Sequence, residues 1–200
     1  DDVDDHLWHL AHLVAAFHAR AERTPAAARA ASRDALAARW ADNTAGLLAH
    51  GRAVIDLEEV LEVDALAKRY LSGRGLLFER RIGDGRALDG HGDLLADDIF
   101  LLDDGPRVLD CIEFDDGLRL GDALADVAFL AMDLERLGRP DLAARFLAAY
   151  REHADDTWPA SLAHHHIAYR AQVRAKVGTI RAGQGDATAV PETRALLGLA

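Results

Sequence analysis

His91-Gly92-Asp93-Leu94-Leu95-Ala96-Asp97-Asp98-Ile99-Phe100, followed by Arg107-Val108-Leu109-Asp110-Cys111-Ile112-Glu113-Phe114, decides how this chain is read. One carboxylate follows a glycine on a tight turn, a second lies five residues on, and a third stands near the end of an apolar run. Ile99-Phe100-Leu101-Leu102 and Val108-Leu109 with Cys111-Ile112 and Phe114 are short β-prone runs. Asp103-Asp104-Gly105-Pro106 between them is a strong turn signal, so the pattern predicts an antiparallel hairpin. The outer ends of its strands would bring Asp98 and Glu113 to one cation, with Asp93 facing the same space. Between Asp89 and Asp126 there are twelve Asp or Glu and two Arg, Arg107 and Arg119. Such a density repels any anion unless a divalent cation stands between them, and hard carboxylate oxygens suit Mg²⁺. The chemistry this points to is Mg²⁺-assisted attack on phosphate.

Outward from the hairpin, helical periodicity dominates. Leu7, Leu10, Ala11, Val14 and Phe17 recur at helical spacing, and Thr24-Pro25 closes that helix. The pattern predicts further helices over about 26–50 and 56–71, and a short one ending at Gly83. After the hairpin Asp122 would cap a helix stopped by Gly138-Arg139-Pro140, with two more over about 141–153 and 159–182. The alanine-rich stretch from residue 26 to 41 reads as helix former, not as disorder.

Bulk properties bound the function. The 200 residues are half hydrophobic, enough to bury one substantial core. A net charge of −11 argues against nucleic acid and anionic membranes and favours cationic partners. Cys111 is the single cysteine, so no internal disulfide is possible. No apolar run approaches spanning length and no signal peptide opens the chain, which places the expected setting in the cytoplasm.

The motifs resemble those of the aminoglycoside phosphotransferase family of small-molecule kinases. His91-Gly92-Asp93-Leu94 with Asp98-Ile99 is similar to that family's catalytic loop, His-Gly-Asp-Leu-His-x-x-Asn-Ile. Ile112-Glu113-Phe114 resembles its Ile-Asp-Phe metal motif, and Gly121-Asp122 with Asp126-Val127-Ala128 resembles the start of the helix that follows. The likeness is strongest to the kinase-like half of bacterial bifunctional aminoglycoside phosphotransferase/ATP-binding proteins, where a tail like Tyr169-Arg170-Ala171 with Val173-Arg174-Ala175-Lys176-Val177 recurs. It covers roughly residues 84–137 and 168–178, with weaker echoes at 10–18. Leu95 replaces the loop's second histidine and Asp98 its asparagine; both Asn and Asp offer an oxygen ligand.

The resemblance implies an α+β, predominantly α-helical fold: the C-terminal lobe of a protein-kinase-like fold, built on a catalytic β-hairpin. Residues 1–88 and 117–200 would be helical, and 89–116 would form the catalytic loop and hairpin. It implies Asp93 as the catalytic base and Asp98 and Glu113 as metal ligands. His91 would buttress the loop, and Asp110 and Asp115 remain open as alternatives to Glu113. Asp122 reads equally as a helix cap or as support for the site, and Asp126 as the anchor of the helix to the loop. Mg²⁺ and ATP or another nucleoside triphosphate are the implied cofactor and co-substrate. The phosphate acceptor would be a hydroxyl of a small molecule, and an acidic cleft suits an amino sugar or aminoglycoside.

Such a kinase also needs a nucleotide-binding N-terminal lobe with a glycine-rich loop and a strand lysine. The two lysines, Lys68 and Lys176, lie in helical patterns, no such loop is present, and the first residue is Asp. A C-terminal lobe separated from its nucleotide lobe, inactive by itself, is therefore expected. Two other classes compete: a non-catalytic interaction or regulatory module beside an ATP-binding domain, and a Mg²⁺-dependent phosphohydrolase using water as acceptor. Zinc on His6, His9 and His12 is disfavoured because no further ligand is specified. The run His164-His165-His166 points three ways on a helix and is expected to face solvent or substrate.

Overall fold

The computed structural model describes residues 2–200 and is mostly helical. Asp2–Arg20 forms α1, and chain that was expected to be one helix after it breaks in two, Pro25–Ala30 (α2) and Arg33–His50 (α3). The break is local chemistry: the Thr24 hydroxyl accepts from Ala27 N, and the Ser32 hydroxyl restarts the helix by accepting from Ala35 N at 3.2 Å. Leu57–Leu71 (α4) is capped by Asp56, and Gly75–Gly83 (α5) follows. Ala87–Asp89 (β1) leads into the quoted stretch, whose hairpin is Ile99–Leu102 (β2) and Gly105–Val108 (β3). Leu120–Asp122 (β4) returns to pair antiparallel with β1, Leu88 opposite Gly121. Ala123–Arg136 (α6), Pro140–His153 (α7), Ala160–Gly183 (α8) and Ala189–Leu199 (α9) complete the chain. The β1–β4 pair and α9 were not foreseen.

The core forms around α6. Its residues from Ala123 through Asp133 are nearly all buried, and a helix apolar on every side has to be enclosed. It packs between α7 and α8, while α1 lies on α7 and α3 on α8. Trp40, Phe78, Phe146, Leu124, Leu130 and Leu162 are among the fully enclosed side chains.

Two acids in this interior are tied to one arginine. Arg81 of α5 forks onto Asp122 (Nε–Oδ2 2.5 Å, Nη2–Oδ1 2.7 Å) and onto Asp156 (Nη2–Oδ2 2.9 Å). Asp122 also caps α6 by accepting from Leu124 N at 2.8 Å. Burial alone would lower the pKa of Arg81, but the two carboxylates more than reverse it. The three groups join α5, the start of α6 and the α7–α8 connection. Removing one member leaves a buried charge uncompensated, so Arg81→Met is expected to destabilise the fold by about 3–5 kcal/mol in urea unfolding.

The hairpin exists, with a register that corrects the expected second strand. Ile99 faces Val108 and Leu102 faces Gly105, so the turn is Asp103-Asp104 alone and Pro106 lies within β3. Proline is tolerated on an edge where its missing N–H costs no ladder bond. The strand stops after Val108 because Asp110 adopts φ 62°, a left-handed geometry that Asp accepts more readily than most residues. Residues 111–114 consequently leave β2 and run back beside the loop at His91, whose carbonyl accepts from Ile112 N at 3.2 Å.

The histidine run is the second correction. His164 is exposed, but His165 and His166 are buried on α8. His165 accepts from Trp40 Nε1 at 3.1 Å and stacks on Tyr70. Burial pushes its pKa down to about 3, which keeps it neutral and able to accept. No helix among the described residues is long and apolar enough to cross a membrane.

Candidate active site

The loop that carries Asp93 is held at both ends by acids of one helix. Asp126, in the first turn of α6, accepts from His91 N through Oδ2 and from Gly92 N through Oδ1, both at 2.8 Å. Two turns on, Asp133 accepts from Ala96 N at 3.0 Å and from Arg136 Nε at 2.7 Å. The seven-residue spacing places the two carboxylates on one face of α6, so residues 91–96 are strung between fixed points. Sequence reasoning found Asp126 and missed Asp133; the available signal was a second acid two turns along an otherwise apolar helix.

Asp126 is itself enclosed, at 3% exposure. His18 Nε2 donates to its Oδ2 at 2.9 Å, and His18 Nδ1 meets the Tyr150 hydroxyl at 2.7 Å. Burial would raise the pKa of Asp126, but the bond and charge of His18 and the two backbone N–H groups hold it well below the usual carboxylate range. The approach is so close that a side chain does not fit at Gly90, where a Cβ would stand 2.8 Å from Asp126 Oδ2. Gly90→Ala should therefore displace the loop and cost about 1–3 kcal/mol, read as a lower urea midpoint with unchanged slope. Gly92, at φ +88°, makes the turn on which Asp93 follows.

Asp93 is half-buried. Burial raises its pKa, Arg174 and Arg170 of α8 pull it down, and Asp98 pushes it up again. Asp98, ending a single 3₁₀ turn before β2, is also raised, by burial and then by Asp110, with His91 and Arg174 opposing. Asp93 and Asp98 thus lie within electrostatic reach of each other and of His91 and Arg174, and Asp98 also of Asp110. The His91 ring donates from Nε2 to Leu109 O at 3.0 Å, tying the loop to the end of the hairpin. Glu113 is exposed on the returning segment, next to Ile112 and to Phe114, which is 84% exposed. Asp115 caps its own turn, accepting from Gly117 N at 2.9 Å, and is exposed. Arg119 fixes the segment: its guanidinium chelates Asp89 (2.8 and 3.1 Å) and donates to Ile112 O at 2.7 Å.

Among the described residues no group of three or more His, Cys, Asp or Glu stands ready to enclose a metal. Asp98 with one further acid would supply two carboxylates, a donor set that fits Mg²⁺, which binds through one or two carboxylates and takes its other ligands from phosphate and water. The arrangement is therefore suited to a hard cation that arrives with a phosphate, and poorly suited to an all-protein cage.

One solved structure shares the fold, which is kinase-like. A solved glucosamine kinase structure superposes with a TM-score of 0.59 over 99% of this chain and 49% of that one, at 19% identity. Uncharacterized proteins of Mycobacterium tuberculosis and Mycobacterium bovis are 46% identical over 190 residues, 95% of this chain. The chain spans 38% of the length of these curated relatives. No family model matches.

Proposed function

We propose that this chain is the acceptor-side lobe of a small-molecule kinase, which transfers the γ-phosphate of ATP or another nucleoside triphosphate to a hydroxyl group. The observation that carries this reading is Asp93, a half-buried acid on a loop fixed at both ends by Asp126 and Asp133, with a second acid and an arginine at hand. The likeness of fold to a glucosamine kinase supports it. Asp93 would accept the hydroxyl proton as the oxygen attacks phosphorus, and its fixed loop would supply orientation in advance. Asp98, with Glu113 or Asp110, would hold Mg²⁺, whose charge offsets that of the phosphates. Arg174 acts on both Asp93 and Asp98 without a hydrogen-bonded acceptor of its own among the described residues, and would meet the transferred phosphate. An amino sugar or aminoglycoside fits the acidic surroundings as acceptor, and the cytoplasm fits the co-substrate. The nucleotide-binding part would lie elsewhere in the full-length protein.

The direct test supplies the full-length protein with γ-labelled ATP, Mg²⁺ and a panel of amino sugars, neutral sugars and aminoglycosides. Label in an acceptor supports the kinase; label only in free phosphate points to hydrolysis, and none in either to a non-catalytic module. The metal ligands are separable in the same assay. Asp98→Ala should raise the Mg²⁺ concentration needed for half-maximal activity about tenfold or more, and the double variant with the true partner should be little worse, since residues acting as a unit are non-additive. Glu113→Ala and Asp110→Ala compete for the partner role. Whichever is silent in the Mg²⁺ titration is not the ligand.

A further inference from the structure

His166, on α8, is 2% exposed, and neither of its ring nitrogens has a hydrogen-bond partner. It borders a small cavity behind the β1–β4 pair, together with Arg39, Arg119, Arg170 and the acids Asp122 and Asp126. The acids are already engaged: Asp122 by Arg81 and Leu124 N, and Asp126 by His18 and the two loop N–H groups. Arg119 is spent on Asp89, Asp116 and the Ile112 carbonyl. Arg170 gives Nε to Ala125 O and lies over the Phe129 ring, and Arg39 donates to Ala30 O. Arg170 is drawn to Asp126 and Asp93 and opposed by Arg39, and both arginines bear on His166. The cavity therefore has spare donors and too few acceptors.

Its room is about 20 Å³. That admits one water or one monatomic ion, since a single water needs roughly 10–15 Å³ by the same measure. We propose that this cavity is a binding site for a single small inorganic anion of the halide kind, held by Arg39, Arg170 and His166. A water would answer the histidine but carries no charge to set against the two guanidinium groups. An anion accepts from all three groups and lies between the charges in a poorly screened interior, where Coulomb terms are largest. Sulfate and phosphate are too large. Because Asp126 forms part of the wall, the anion would stand one side chain away from the clamped loop, and the proposal holds whether or not the chain proves to be a kinase.

The test has two readouts on the unmodified protein. Thermal unfolding is followed while chloride or bromide replaces gluconate at constant ionic strength. A saturable rise of about 2–4 °C is expected when halide exceeds its dissociation constant about fivefold. Crystals grown in bromide should show an anomalous peak between Arg39, Arg170 and His166. Both results are required. Equal melting in halide and gluconate, or a cavity holding only water, overturns the proposal; stabilisation without a peak does so too, because the halide is then bound elsewhere. Arg39→Met, which removes one donor, should raise the halide concentration at half-effect about tenfold. Should that variant not fold, the two wild-type readouts decide.

Discussion

Asp93→Asn in the full-length protein should lower phosphate transfer by about 10²–10⁴-fold, the range a positioned general base contributes. The melting temperature should hardly change, because Asp93 is only half-buried and its carboxylate makes no hydrogen bond that fixes the loop; the backbone of His91, Gly92 and Ala96 does that. Asparagine matches aspartate in shape, retains an oxygen and cannot take the proton. The acid limb of the pH–rate profile carries a second reading of the same group. Burial and Asp98 set the Asp93 pKa above its ordinary value despite Arg174 and Arg170, so the base form should be lost at a higher pH than for a freely solvated aspartate. A variant with near-normal turnover would show that Asp93 is not the base, whatever the acceptor.

What the sequence disclosed and what it hid divide along the range of the forces involved. Asp122 as a cap, Gly138 as a stop and the β2 strand are set by neighbours within a few residues, and they were legible. Asp126 was legible as an anchor through the resemblance of Gly121-Asp122 with Asp126-Val127-Ala128 to the helix start of the phosphotransferase family. The end of β3 was not, since the left-handed turn at Asp110 is held by packing of the returning segment on the loop, with Ile112 N on His91 O and Arg119 across Asp89. Three-residue strands such as β1 and β4, some thirty residues apart, carry no local signature at all. The histidine run misled for a related reason. Residues facing three directions on a surface helix would include wet ones, but α8 is covered by α3, α6 and α9 and so encloses two of the three. The break at Ser32 was within reach, as a serine followed by helix formers is a start signal.

Asp126→Asn bears on the assembly of the site itself, and its expected cost is about 3–5 kcal/mol of unfolding free energy at pH 7, the cost of breaking a buried pair. One carboxylate takes three donors: His18 Nε2 and His91 N on one oxygen, Gly92 N on the other. An asparagine keeps one oxygen, and its amide nitrogen must face a donor however the group is turned, so at least one buried N–H loses its acceptor. The sign of the pH dependence follows from the carboxylate's depressed pKa. In the unfolded chain Asp protonates near its reference value of about 3.9, earlier than in the fold, so the stabilisation is complete above that value and is lost as pH falls towards the folded pKa. The gap between wild type and Asp126→Asn should accordingly be constant from pH 8 to about 5 and narrow below pH 4. Urea unfolding across that range measures it, and a gap under about 1 kcal/mol at pH 7 would mean that the loop is held by something other than this acid. Should the gap appear, the loop amides of His91 and Gly92 should also exchange hydrogen faster in the variant than those of the α6 interior, because the clamp is lost while the helix that carried it remains packed.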